Sequence, residues 1–215
     1  MYIMKSSLKR NGLVVLSLLA GGFTACVSPM VEVGETREAE AVRRNEIVAR
    51  GMSLVDMRDL GEVNGFYRND CSGFVVGVYR SLGYEAELSY YNSRYVAENL
   101  YKNLRSRGLV YYGMRPKKAD VAFFRNTIEN SGNRVTHVGL VTEVEQDDTV
   151  VIVHYSSRGV STMRMNLQQP HVHRDEAGQV LNDFLRKKPP GTREARLLSG
   201  ELFYMFGDFY NYVVD

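Results

Sequence analysis

The chain has 215 residues, enough for one domain with a sound core, and carries 27 Lys+Arg against 25 Asp+Glu. Lys5, Lys9 and Arg10 supply the whole excess: without the first 25 residues, 24 basic side chains stand against 25 acidic ones. That near-neutral balance gives no reason to expect a nucleic-acid partner.

Leu13 to Ala20 is an apolar run behind the basic start, too short to span a bilayer as a stable helix. It reads as the core of an export signal. Gly21-Gly22-Phe23-Thr24-Ala25-Cys26 follows and resembles a bacterial lipobox, in which the cysteine is lipidated and becomes the new N-terminus. The expectation is a signal peptide over 1–25, an acylated Cys26 and a polar tether over 26–37. Several acyl chains would hold the chain to a membrane through its N-terminal lipid. Val27 in place of Asp adds the expectation of an outer-membrane anchor facing the periplasm.

From Glu38 to about Leu60, Val42, Ile47, Val48, Leu54 and Val55 predict an amphipathic helix. Gly61 to Asn69 reads as a loop. Asp70 is a good N-cap for a helix through Phe74, Val75, Val78, Tyr79 and Leu82, with Gly83 as its stop. Asn92 or Ser93 would cap another through Val96, Leu100 and Leu104, ending at Gly108. The character then changes. Leu109–Tyr112, Ala119–Phe124, Val135–Val144, Thr149–Tyr155 and Ser161–Met165 read as strands, with a hairpin turn at Gln146-Asp147-Asp148. Residues 166–193 read as an extended loop with one helical turn near Leu181 to Leu185. Leu202, Phe203, Phe206, Phe209 and Tyr210 predict a C-terminal helix. Helices first and a small antiparallel sheet after make an α+β domain.

With Cys26 acylated, Cys71 has no partner in the chain. At a helix start, a thiol lies near unsatisfied backbone N–H groups and the positive end of the helix dipole, which favours the thiolate. His137 and His154 lie in strands further on. A cysteine followed by two histidines is the arrangement of a thiol hydrolase. His171 and His173 could share a metal, but no third ligand has suitable spacing, and a solvated loop is the better reading. No metal and no cofactor is expected.

Four segments resemble successive motifs of the NlpC-type cell-wall cysteine peptidases, of the papain-like superfamily. They are Asp70-Cys71-Ser72-Gly73-Phe74-Val75, Ala119-Asp120-Val121-Ala122-Phe123-Phe124, His137-Val138-Gly139-Leu140-Val141 and Val153-His154-Tyr155-Ser156-Ser157-Arg158-Gly159-Val160. The resemblance implies a papain-like core over 38–165, N-terminal helices packed on the sheet, and a C-terminal helical extension over 166–215. It implies peptidoglycan stem peptides as substrate, cut between γ-D-glutamate and the diamino acid. Cys71 resembles the nucleophile, His137 the general base and His154 the residue that orients it. Asp70 and Ser72 match positions that line the substrate cleft. The family's upstream tyrosine is missing, and Tyr67 is the candidate to replace it. The alternatives are an N-acetylmuramoyl amidase or acyltransferase on the same fold, and a non-catalytic lipoprotein that binds wall peptides.

Overall fold

The computed structural model describes residues 36–89, 93–113, 115–186 and 197–214. The signal peptide, Cys26 and most of the tether lie outside them, as do Tyr90, Tyr91 and Asn92. The described residues fall in one compact unit. Among them, no helix is long and apolar enough to cross a membrane.

Helix α1 spans Arg37–Met52 and starts at Thr36, whose hydroxyl accepts from Ala39 N–H at 3.2 Å. It is shorter than the periodicity predicts. The chain turns after Met52, and Leu60–Glu62 forms one 3-10 turn capped by Asp59. Helix α2 spans Cys71–Arg80 and α3 spans Val96–Ser106. Both stop where the sequence places a left-handed residue, with Gly83 at φ +86° and Gly108 at φ +72°. The N-cap of α3 is Tyr95; Ser93 instead bonds Tyr95 N–H at 3.2 Å, inside the turn before the helix.

Six strands form one antiparallel sheet: β1 (Val110–Tyr111), β2 (Val121–Arg125), β3 (Val135–Val144), β4 (Val150–Ser156), β5 (Gly159–Met165) and β6 (Phe203–Gly207). Their order is β1-β6-β2-β3-β4-β5. A single helical turn, α4 (Ser199–Leu202), precedes β6, and α5 (Phe209–Val214) follows it.

The C-terminal segment corrects the sequence reading. Phe203–Gly207 is not helical; it is inserted between β1 and β2 and completes the sheet. The segment from 166 is therefore not a helical extension added to a finished domain. Phe203, Tyr204 and Phe206 are residues that favour a pleated, half-buried surface, and a short aromatic run fits either period. A vacant place beside β2 decides for the strand. The expected helical turn at Leu181–Leu185 is also absent; that stretch is extended, with Phe184 bridged to Leu198.

The sheet separates two apolar layers. On one side α1, α2 and α3 bury Ile47, Phe74, Val78, Leu100 and Leu104 against Val121, Phe123, Val138, Leu140 and Val153. On the other, Ala122, Phe124, Val141, Ile152, Met163 and Met165 meet Leu202 and Phe206. Arg44 ties distant parts of the chain together. From α1 it bonds Glu40 (2.7 Å), Asp120 before β2 (2.9 Å) and Asp208 after β6 (2.9 Å), and its side chain is almost fully buried. Tyr111 donates to the other oxygen of Asp120. Burial pushes the Asp120 carboxyl up to about 6, with the guanidinium opposing that rise.

Arg44→Met removes the cation and strands Asp120 and Asp208 in a desolvated site. The expected loss is about 3–5 kcal/mol, read from urea unfolding midpoints. An unchanged midpoint would show that the network contributes nothing.

Candidate active site

Cys71 is the first residue of α2. Asp70 caps that helix: one carboxylate oxygen accepts from Gly73 N–H (2.7 Å) and Ser72 Oγ (2.7 Å), the other from Arg68 Nε (3.0 Å). Phe74, Val75, Val78 and Tyr79 fix the helix on the sheet, so the sulfur is delivered to one place. The backbone N–H groups of Cys71, Ser72 and Val138 face Sγ.

The presence of Val138 in that set follows from the sheet register. The β3–β4 ladder runs from Val144↔Val150 to Leu140↔Val153 and stops there. Past that end and past Gly139, the Val138 N–H faces the sulfur. Val138 is the chain neighbour of His137, so the residue that faces the thiol adjoins the imidazole.

His137 pairs with Phe124 across β2 and β3, and its ring lies 6.1 Å from the Phe124 ring. Cross-strand partners share a face, which puts His137 on the side away from the helices. His154 is on that side too, two residues beyond Ile152. The two rings stand perpendicular (87°), with His137 Nε2 2.7 Å from His154 Nδ1. Ser161 Oγ lies 3.3 Å from His154 Nε2. Gly139 makes the approach possible: a Cβ there would lie 2.4 Å from Ile152 Cγ2 and 3.2 Å from His154 Cβ.

Among the described residues, no hydrogen bond joins Sγ to either ring, and none occupies His137 Nδ1. Cys71 packs with the helical layer, and the histidines lie on the opposite face of the sheet.

The electrostatics correct a second expectation. Burial pushes the Cys71 thiol up to about 11, outweighing the lowering by three backbone N–H groups, and the Asp70 charge adds to the rise. Burial holds His137 well below the ordinary histidine value, with His154 adding to it. Burial and the nearby Arg158 push His154 down to about 4. The resting site is thus a neutral thiol beside two neutral imidazoles. A helix terminus favours the thiolate only to the extent that water or a cation shares the stabilisation.

The remaining predicted residues are placed differently. Tyr67 is buried under α2, its hydroxyl bonded to Arg50 Nε (3.0 Å) and Ser81 Oγ (3.0 Å). Ser81 caps the far end of α2, about 15 Å along the helix from Cys71. Tyr67 therefore cannot serve an oxyanion at Cys71; its ring fills the space left by Gly77, where a Cβ would lie 2.3 Å from it. Asp70 is occupied as a helix cap. Ser72 lines a separate groove with Phe66, Arg68 and Arg80, away from the histidines. His171 pairs with Glu201 (3.1 Å), and His173 Nδ1 bonds the Asn182 carbonyl (2.7 Å). Among the described residues, no three ligating side chains cluster to hold a metal.

The histidines open onto a cleft of about 1010 Å³. Its walls include Ile128, Arg158, Ser161 and the strap Asp183–Arg186. The sequence reading gave no role to Ser161. The signal lay in the hairpin: a two-residue turn at Ser157-Arg158 sets Ser156 opposite Gly159, and the same register sets His154 opposite Ser161.

Residues 61–156 match the family described as CHAP domain. A crystal structure of N-acetylmuramoyl-L-alanine amidase from Staphylococcus aureus is 20% identical, with a TM-score of 0.35 over 46% of this chain and 27% of that one. The chain thus spans about a quarter of that structure's length. No curated relative matches the chain in sequence. The motifs resemble the NlpC-type branch of the papain-like hydrolases, and the matched family lies in the same papain-like group. Over residues 61–156 the chain is similar to the CHAP domain, the cysteine/histidine-dependent amidohydrolase/peptidase module of papain-like cell-wall hydrolases.

Proposed function

We propose that this chain hydrolyses an amide bond in the stem peptides of peptidoglycan, with Cys71 as nucleophile, His137 as general base and His154 as the residue that positions His137. The observation that carries the reading is the 2.7 Å contact between His137 and His154 beside Val138, whose N–H faces Cys71 Sγ. With Nε2 engaged by His154, Nδ1 is the nitrogen left to take a proton. With Nδ1 as the base, the tautomers of this reading follow. His137 Nε2–H donates to His154 Nδ1, and His154 Nε2–H donates to Ser161 Oγ.

In this mechanism Sγ attacks the scissile carbonyl as its proton passes to His137 Nδ1. The tetrahedral oxyanion is received by the Cys71 N–H, one of the helix donors without an intrahelical partner. Collapse expels the amine, which takes the proton back from Nδ1. Water, deprotonated by the same nitrogen, then cleaves the thioester. Concerted transfer suits a desolvated sulfur, because no free thiolate accumulates in a site that disfavours charge. The finer reading is an endopeptidase acting between γ-D-glutamate and the diamino acid.

Digestion of defined muropeptides, with products weighed, tests both levels. An endopeptidase releases a fragment beginning at the diamino acid; an amidase releases the entire stem. Cys71→Ala and His137→Ala abolish the release. His154→Gln keeps the fold and lowers the rate on the order of 10²–10⁴-fold, because the imidazole loses its orientation. A Cys71→Ala variant that still cuts overturns the mechanism.

The pH profile follows from the shifts. Activity needs one proton on the thiol–imidazole pair. A second proton enters only well below the ordinary histidine value, so kcat/KM holds through pH 6.5 and its acid limb lies well beneath that value. At the other end the thiol proton leaves near 11, and the amine then lacks its acid. The expected profile is a plateau across neutral and mildly alkaline pH. Iodoacetamide alkylation of Cys71 should be slower than that of a free cysteine at pH 7 and rise steadily toward pH 11. An acid limb at or above the ordinary histidine value of about 6.5, or fast alkylation at pH 6, contradicts the neutral resting pair.

Residues 1–27 alone support an exported, lipid-anchored protein on the periplasmic side of an outer membrane. Labelled fatty acid incorporated into the wild type and lost in Cys26→Ser is the expected outcome. Equal labelling of both would refute the anchor.

A further inference from the structure

The matched family region ends at residue 156, yet part of the histidine cleft is built by a later segment. Residues 181–186 form a strap across that face, and it is firmly held. Asp183 N–H donates to the Arg164 carbonyl (3.1 Å), and its Oδ2 accepts from Arg164 N–H (2.8 Å). Leu185 N–H donates to the Leu197 carbonyl at 2.9 Å. Fully buried Asn182 donates to the carbonyls of Gln169 and Val172, both at 2.8 Å, and accepts from Asn166 N–H at 2.9 Å. A wall tied at this many points is preorganised for recognition.

Two features of this cleft have no structural use. The first is apolar. Ile128 and Phe184, 50% and 58% exposed, both line it, and the Phe184 ring is braced by His173 at 4.6 Å. The second is cationic. Arg158, in the β4–β5 turn, and Arg186, on the strap, both line it, and among the described residues neither guanidinium forms an ion pair. Arg186 Nε is buried and has no hydrogen-bond partner, an N–H whose desolvation is uncompensated. The carboxylates on the same cleft are Glu129 and Asp183, and one oxygen of Asp183 is already committed to Arg164.

We infer that the 181–186 strap is the substrate-selecting wall of the cleft, with Arg158 and Arg186 receiving a free carboxylate of the peptide and Phe184 and Ile128 holding its apolar part. The inference rests on the hydrolase reading above and takes the cleft beside His137 and His154 as the place where the substrate lies. A guanidinium presents parallel N–H donors that match a carboxylate, and an amide in its place would leave donors facing donors. Arg186 and Phe184 are thus specificity residues, touching the substrate at a distance from the scissile bond.

The test uses the full exported chain and three synthetic stem peptides: one with all carboxylates free, one amidated at the glutamate α-carboxyl, one amidated at the C-terminus. The wild type should favour the free acid over at least one amide by tenfold or more in kcat/KM. Arg186→Gln and Arg158→Gln should bring that ratio close to one, while Phe184→Ala should raise KM for all three peptides. Thermal unfolding midpoints of each variant establish that it folds. No preference in the wild type, or an undiminished preference in both arginine variants, overturns the inference. If the wild type cuts none of the peptides, the hydrolase reading fails by itself. Titration calorimetry with Cys71→Ala then still judges the wall: tighter binding of the free acid supports it, and equal affinity for acid and amides overturns it.

Discussion

Everything at the site depends on how closely β4 can approach β3 at one residue. Position 139 has no side chain, and the space a Cβ would take is filled by Ile152 and His154. That closeness brings two imidazoles to 2.7 Å with perpendicular rings. The ladder itself ends one residue before, at Leu140↔Val153, and past Gly139 the Val138 N–H faces the sulfur of Cys71. A tight strand pairing and its abrupt end are therefore two aspects of one arrangement. The first sets the orientation of the two imidazoles, and the second leaves the Val138 N–H to face Cys71.

Desolvation then sets the charge state. The helix terminus and three backbone N–H groups favour a thiolate, but removal of water from the sulfur outweighs them. The imidazoles are buried too and stay neutral for the same reason. A neutral site costs the fold less than a buried ion pair with incomplete hydrogen bonding. The charged network at Arg44 shows the opposite solution: there the guanidinium has three carboxylate partners, and the charges persist under burial. Through Asp120 and Asp208 that network fixes α1 to the beginning of β2 and the end of β6, which holds the helical layer and the late strand in one frame.

The C-terminal fifty residues complete this frame. β6 fills the place between β1 and β2, and the strap before it walls the histidine cleft. Residues outside the family match are therefore part of the sheet and part of the site. The region that carries the motifs holds Cys71 and the two histidines, while the later region supplies part of the cleft wall beside those histidines.

The sequence by itself determined the local elements whose signals are short-range: Asp70 as a cap, Gly83 and Gly108 as stops, the β3 strand from Val135 to Val144, and the order of cysteine and histidines. These depend on residues within a few positions of each other, where propensity and period suffice. The sequence left undecided whatever depends on partners far along the chain. The aromatic run at 203–207 became a strand because a sheet edge was waiting for it, and Tyr67 went under α2 because Gly77 left room for its ring. The thiol lost its expected charge because burial is a property of the assembled layers. Tertiary structure alone decided these, since packing and desolvation are sums over neighbours that no local window contains.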